Sequence, residues 1–224
     1  MVRHGRFFFA LFSLFRFSVS LGLVERPLVV GLFWGLFVGN LESSLFIAIF
    51  YELLWLDFIP VGTFIPPHMT AACLTALTIS NYFGLDSLPL IALPLMAGLP
   101  MAWLGAKLER VMRDRLNRSY NGVLQWVRKP LDVGVPGRLL LASLASKVLA
   151  NWLFFLVGAG ALALITRFVL GQYGPLLASL KLSWNHLLIA ASVGGMLALR
   201  LRSLYVSVAV GAVALGFLRF IGIF

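Results

Sequence analysis

The sequence predicts an all-α, polytopic integral membrane protein with about five to seven transmembrane or re-entrant helices and one basic amphipathic helix. Three observations predict it. Hydrophobic residues make up 61% of the 224 positions and charged residues only 12%, with a mean hydropathy of +0.97. Apolar windows of about 20 residues, the length that crosses a bilayer, recur along the chain. The basic residues gather in a few short stretches instead of covering a soluble face. A water-soluble domain of this size could not bury so much apolar surface in one core. Lipid solvates that surface directly, and one membrane-embedded domain over residues 1–224 is the expected organisation.

The elements follow in order. Residues Phe7 to Val24 form a first apolar segment, short for a crossing and interrupted by Arg16. With no small-residue cleavage site after it, it reads as a membrane segment and not as a signal peptide. Glu25-Arg26-Pro27 punctuates the chain, and Pro27 suits the first turn of a new helix. The next apolar stretch, Leu28 to Ile59, is too long for one crossing, and Asn40 to Ser44 divides it in two. The segment PVGTFIPPHM is irregular backbone between apolar neighbours, tolerated at membrane depth only where protein or a hydrated cavity satisfies it. A helix over Thr70 to Ser80 and an Asn-Tyr-Phe-Gly-Leu-Asp turn follow.

A spanning segment is expected from Leu88 to Ala106, containing Pro89, Pro94 and Pro100. Residues 107–129 read as a separate amphipathic cytoplasmic helix, because Leu108, Val111, Met112, Leu116, Val123, Leu124 and Val127 alternate with basic residues at helical spacing. Three apolar stretches complete the chain: Leu139 to Phe168, His186 to Leu199 and Leu204 to Phe224. Arg200-Leu-Arg-Ser separates the last two.

The formal charge of +10 does not point to nucleic acid, because the basic residues flank apolar segments. Lys and Arg are retained in cytoplasmic loops, where anionic lipid also attracts them. Lys107 to Arg138 therefore belongs inside, and the N-terminus lies on the same side. Arg110, Arg113, Arg115 and Arg118 are the candidates for a surface that meets partner proteins or lipid.

Ionisable residues within apolar segments are costly and mark functional positions. Glu52, set between IFY and LLWL, is the first candidate. Its carboxylate could accept hydrogen bonds from substrate hydroxyls, cap the N–H groups of a broken helix, or lock two helices together. Asp57 precedes the Pro-Val-Gly break and belongs either to the same site or to an interface. His68 follows Pro66-Pro67 with no second ligand near it, so no metal site is expected. The single cysteine, Cys73, lies in an apolar run and reads as a small buried side chain. No phosphate-binding glycine loop is present, and neither His4 nor His186 has the surroundings of a phosphoryl acceptor.

The run ERPLVVGLFWGLFVGNLESSLFIAIFYELLWLDFIPVGTFIPPHMTAA resembles the signature region of the membrane-embedded IIC subunit of the mannose/fructose/sorbose-type phosphotransferase system. The matching positions are Arg26-Pro27-Leu28, Gly35 with Gly39, Glu52-Leu53, and Gly62 with Pro67. The chain carries Ala48, Ile49 and Phe50 where that family usually has small glycines. It also has Asp57 where a glycine is usual. The resemblance implies a sugar-translocating permease subunit of a bacterial cytoplasmic membrane, not catalytic by itself and without a cofactor. Its implied partners are a IID-type membrane subunit, IIA and IIB phosphocarriers, a hexose or amino sugar, and further copies in a homo-oligomeric complex. The implied sugar site comprises Glu52, Asp57, Gly62, Thr63, Pro67 and His68. A non-transporting membrane scaffold is the alternative.

Overall fold

The structure, a computed structural model, describes residues 26–57, 65–128 and 135–220. The segment Phe7 to Val24, Gly62, Thr63 and the side chain of Arg118 lie outside the described residues. Seven helices make up the described part: α1 (Pro27–Val38), α2 (Leu41–Leu54), α3 (Met69–Phe83), α4 (Leu88–Arg128), α5 (Val135–Ala178), α6 (Trp184–Ala198) and α7 (Arg202–Phe220). No strand occurs among the described residues, as the composition predicts.

Helices α1 and α2 form a tight hairpin. Pro27 opens α1, where its missing N–H costs nothing. The helix ends at Gly39, whose φ of 81° is left-handed and whose N–H donates to the Gly35 carbonyl. Asn40 then caps α2, its side-chain oxygen accepting from the Ser43 N–H at 3.4 Å. The break is therefore narrower than the expected Asn40 to Ser44: Leu41 to Ser44 already form the first turn of α2. Glu42 in that turn complements the helix dipole. With 12 and 14 residues, the two helices are about 18 and 21 Å long, short of a hydrocarbon core of about 30 Å.

Small residues let the hairpin close. A Cβ on Gly31 would collide with the Ala48 Cβ and come within 2.9 Å of the Ser44 carbonyl oxygen; one on Gly35 would meet the Leu41 Cα at 2.9 Å. Two backbones in near contact is the small-residue packing that holds helices together where lipid supplies no hydrophobic drive. The outer face of α1, with Phe33, Leu36 and Phe37, stays exposed.

Helix α3 is the core. Every residue from Met69 to Ser80 is buried, and α3 packs against α1, α2, α4 and α5. Its small side chains (Ala71, Ala72, Cys73, Ala76) permit that crowding. Its hydroxyls turn inward, and Thr75 donates to the Ala71 carbonyl at 2.7 Å. Tyr51 of α2 stacks on Trp55 and sends its hydroxyl to the Leu95 carbonyl of α4 at 2.7 Å. That carbonyl lies in the stretch between Pro94 and Pro100. Gly98 gives the phenol its room, since a Cβ there would overlap the hydroxyl.

The expected boundary at Ala106 is absent. The apolar segment from Leu88 and the basic segment 107–128 are one helix of 41 residues, about 62 Å long and twice the thickness of the hydrocarbon core. Likewise α5 runs on to Ala178 instead of stopping at Phe168. The two pack antiparallel: Met101 lies against Gly158, and Gly122 against Leu139. Part of the apolar side of 107–128 faces α5, with Met112 and Leu116 beside Leu139, while Val111, Leu124 and Val127 stay exposed. Both α4 and α5 are long and apolar enough to span a membrane.

Helix α6 runs parallel to α2. Phe46 stacks on Trp184 at 4.8 Å near their starts, while Gly194 and Gly195 meet Leu54 and the Leu53 carbonyl near their ends. Helix α7 packs on α6, and Tyr205 donates to the Leu197 carbonyl at 3.0 Å.

Gly31→Leu should destabilise the protein in detergent by about 1–3 kcal/mol or more, because backbone blocks the new side chain. Gly160, which has nothing near its Cβ direction, serves as the control: Gly160→Leu should leave the thermal transition in place. Tyr51→Phe should cost about 0.6–2 kcal/mol, the range for interhelical hydrogen bonds in membranes. Denaturation in mixed detergent reads all three.

Candidate functional site

Three helices meet around Glu52. The carboxylate sits in the last turn of α2, with its side chain 13% exposed. Oε1 accepts from Arg26 Nη1 at 3.2 Å, and Oε2 accepts from the Leu28 N–H at 3.3 Å. Arg26 occupies the N-cap position of α1 but offers no side-chain cap, so a residue from the neighbouring helix supplies one. The start of α3 closes the group: the Cys73 thiol points to the Pro27 carbonyl at 3.8 Å.

The hairpin produces this arrangement. Its two-residue turn makes α1 and α2 antiparallel neighbours of similar length, so the end of α2 falls beside the beginning of α1. A carboxylate near a helix N-terminus is favoured by the dipole and by the unpaired N–H groups there. Of the readings open to Glu52 in the sequence, capping a helix and locking two helices are both realised. A carboxylate has about four acceptor positions, and the bonds above occupy two. Capacity for hydroxyl donors remains at a charge already oriented by the protein.

His68 takes a different place. It is 3% exposed and caps α3, its Nδ1 accepting from the Ala71 N–H at 3.3 Å. Its own N–H donates to the Ala102 carbonyl of α4 at 2.9 Å. Gly105 makes this approach possible, because a Cβ there would lie 2.6 Å from the His68 Cβ. Pro67 beside it is buried. Asp57 follows the end of α2 and lines a cleft with α6; its Oδ1 is buried without a hydrogen bond. The structure thus ties Glu52 to α1, His68 to α4 and Asp57 to the α6 side. Among the described residues no group of three potential metal ligands gathers.

The basic arm is only partly available to a partner. Arg110 and Arg115 are exposed. Arg113 is engaged by the buried Glu109 of its own helix, with Nη2 and Nε at 2.6 and 3.1 Å from Oε1. The roles of Arg26 and of the α1 N-terminus in orienting Glu52 were missed from sequence. The signal was present: an Arg-Pro helix start lies 26 residues before a carboxylate, with a tight Gly-Asn turn about halfway between.

Comparison with curated proteins and with solved structures gave no match. The family model described as the sorbose-specific IIC component of the phosphotransferase system does match, over residues 7–218. That span takes in every helix described above as far as α7, and such components are membrane parts of sugar uptake systems. The chain belongs to the family of sorbose-specific IIC components of the phosphotransferase system.

Proposed function

We propose that this chain is the sugar-translocating IIC subunit of a mannose-type phosphotransferase complex in a bacterial cytoplasmic membrane. It passes a hexose or amino sugar inward beside a IID-type membrane subunit, and the IIA and IIB phosphocarriers then phosphorylate the sugar. The observation that carries this reading is the oriented carboxylate of Glu52, held by Arg26 and by the Leu28 N–H. Sugar hydroxyls donate well to such an acceptor, and charge-assisted hydrogen bonds are the strong ones. Because the protein fixes the carboxylate beforehand, little ordering cost remains when substrate arrives.

In this reading His68 and Pro67 are positioning residues. They fix the start of α3 against α4, and Gly62 and Thr63 are assigned to the sugar from the family resemblance. Asp57, which opens on the α2–α6 cleft, is not assigned to the sugar. The exposed Arg110 and Arg115, with Arg118 further along the same helix, form the face offered to the soluble phosphocarriers. Phe50, which replaces a family glycine, is buried in the core, so its bulk is accommodated by packing.

Uptake of labelled hexoses and amino sugars by cells carrying this chain with its partner subunits tests the proposal. Glu52→Gln keeps the size of the side chain and loses its charge. Loss of a charge-assisted hydrogen bond of about 1.5–3 kcal/mol corresponds to about a tenfold to hundredfold fall in uptake. Membrane insertion, followed by immunoblot, should stay normal. Arg26→Gln should give a smaller fall, because it frees the carboxylate without removing it. Equal uptake by Glu52→Gln and the parent chain would remove Glu52 from the sugar path. A parent chain that assembles with its partners but binds none of the sugars would make it a scaffold.

A further inference from the structure

The cleft between the ends of α2 and α6 is separate from the Glu52 group. It measures about 490 Å³ and is walled mainly by Leu53, Leu56, Met196 and Leu199. Three of these apolar side chains, Leu56, Met196 and Leu199, are also exposed at its rim. The polar groups on the wall are few. Ser192 is already engaged, its hydroxyl donating to the Leu188 carbonyl at 2.8 Å. Asp57 is not: its Oδ1 is shielded from solvent and has no hydrogen-bond donor among the described residues.

An acceptor buried without a donor carries a desolvation cost of about 1–3 kcal/mol, more when charged. Membrane proteins keep such groups where they serve a ligand. Among the described residues, few polar groups line the cleft beyond this carboxylate, which suits an apolar occupant better than a sugar. An amphiphile with an apolar body and a cationic, hydrogen-donating head fits both features. The residues that follow the cleft suit a headgroup beside it. Leu199 is followed at once by Arg200, whose φ of 54° turns the chain out of α6, and then by Arg202. Both arginines are exposed, and arginines at the ends of apolar helices mark the headgroup level, where they meet phosphate.

We propose that this cleft is a binding site for a phospholipid with a primary ammonium headgroup, phosphatidylethanolamine in chemical class. The ammonium donates to Asp57, an acyl chain lies along Leu53, Leu56, Met196 and Leu199, and the phosphate faces Arg200. The choline headgroup separates charge from hydrogen bonding: its quaternary nitrogen is equally cationic and donates no N–H. Discrimination between the two headgroups therefore reports the bond to Asp57, not general attraction.

Native mass spectrometry of the full chain, purified with its partner membrane subunit, tests this against phosphatidylethanolamine, phosphatidylcholine and phosphatidylglycerol of identical acyl composition. The expected result is retention of the ethanolamine lipid at least about fivefold above the choline lipid, from one tightly bound copy per chain. Asp57→Asn should bring the two lipids level. Met196→Trp, which fills the cleft and leaves the carboxylate, should abolish the tightly bound copy altogether. Equal retention of the two lipids by the parent chain, which needs no variant to fold, would overturn the proposal. So would an unchanged preference in Asp57→Asn, or ethanolamine lipid bound only after the partner subunit is removed. That last outcome would assign Asp57 to a cationic side chain of the partner.

Discussion

The near contact of backbone with backbone between α1 and α2 is the constraint on which the rest of the structure depends. Gly31 and Gly35 admit Ala48 and Ser44 to distances that no side chain would permit. In lipid there is no water to drive two apolar helices together, so close packing must supply the attraction. Once the hairpin closes, its geometry follows from the turn. Gly39 takes the left-handed conformation and Asn40 restarts the helix two residues later. The end of α2 is then delivered to the start of α1, and Glu52 meets Arg26 and the Leu28 N–H.

The same scarcity of water explains the placement of polar groups throughout. The first three helices each begin at a site where the first N–H groups need acceptors, and the chain provides them from three different sources. Glu52 serves α1 from a neighbouring helix, Asn40 serves α2 from within the turn, and His68 serves α3 from the residue before it. In each case the capping residue also fixes one element against another or closes a turn. Substitutions at such positions therefore report on architecture as well as on chemistry, which is why uptake and insertion have to be measured together for Glu52.

The molecule divides into a compact group of short helices around α3 and a long antiparallel pair, α4 with α5. The compact group holds Glu52 with its partners Arg26 and the Leu28 N–H. The long pair continues past the thickness of a hydrocarbon core and carries the basic arm. Tyr51 and His68 join the two parts through the Leu95 and Ala102 carbonyls of α4. Displacement of the Glu52 group relative to the arm would have to break or carry both bonds.

Much of this was legible beforehand. Composition made the chain a helical membrane protein, Pro27 and Gly39 marked the start and stop of α1, and the rarity of acids within apolar runs singled out Glu52 and Asp57. These are local properties, set by what a bilayer tolerates and by what each residue's backbone permits. Two things were not legible. The pattern in 107–128 did not show that the helix continues from Leu88 or that Met112 and Leu116 face α5, because a stripe of apolar residues is the same whether it meets lipid or protein. The separate attachments of Glu52, Asp57 and His68 were also hidden, although the three lie within 17 positions of one another. Glu52 is bound by α1 and His68 by α4, while Asp57 faces α6 without a hydrogen bond among the described residues, and only the packing of those helices decides which acceptor meets which donor. Sequence determined which groups are costly to leave unpaired in lipid; tertiary structure decided which of them are paired, because pairing depends on distances between helices that no local pattern encodes.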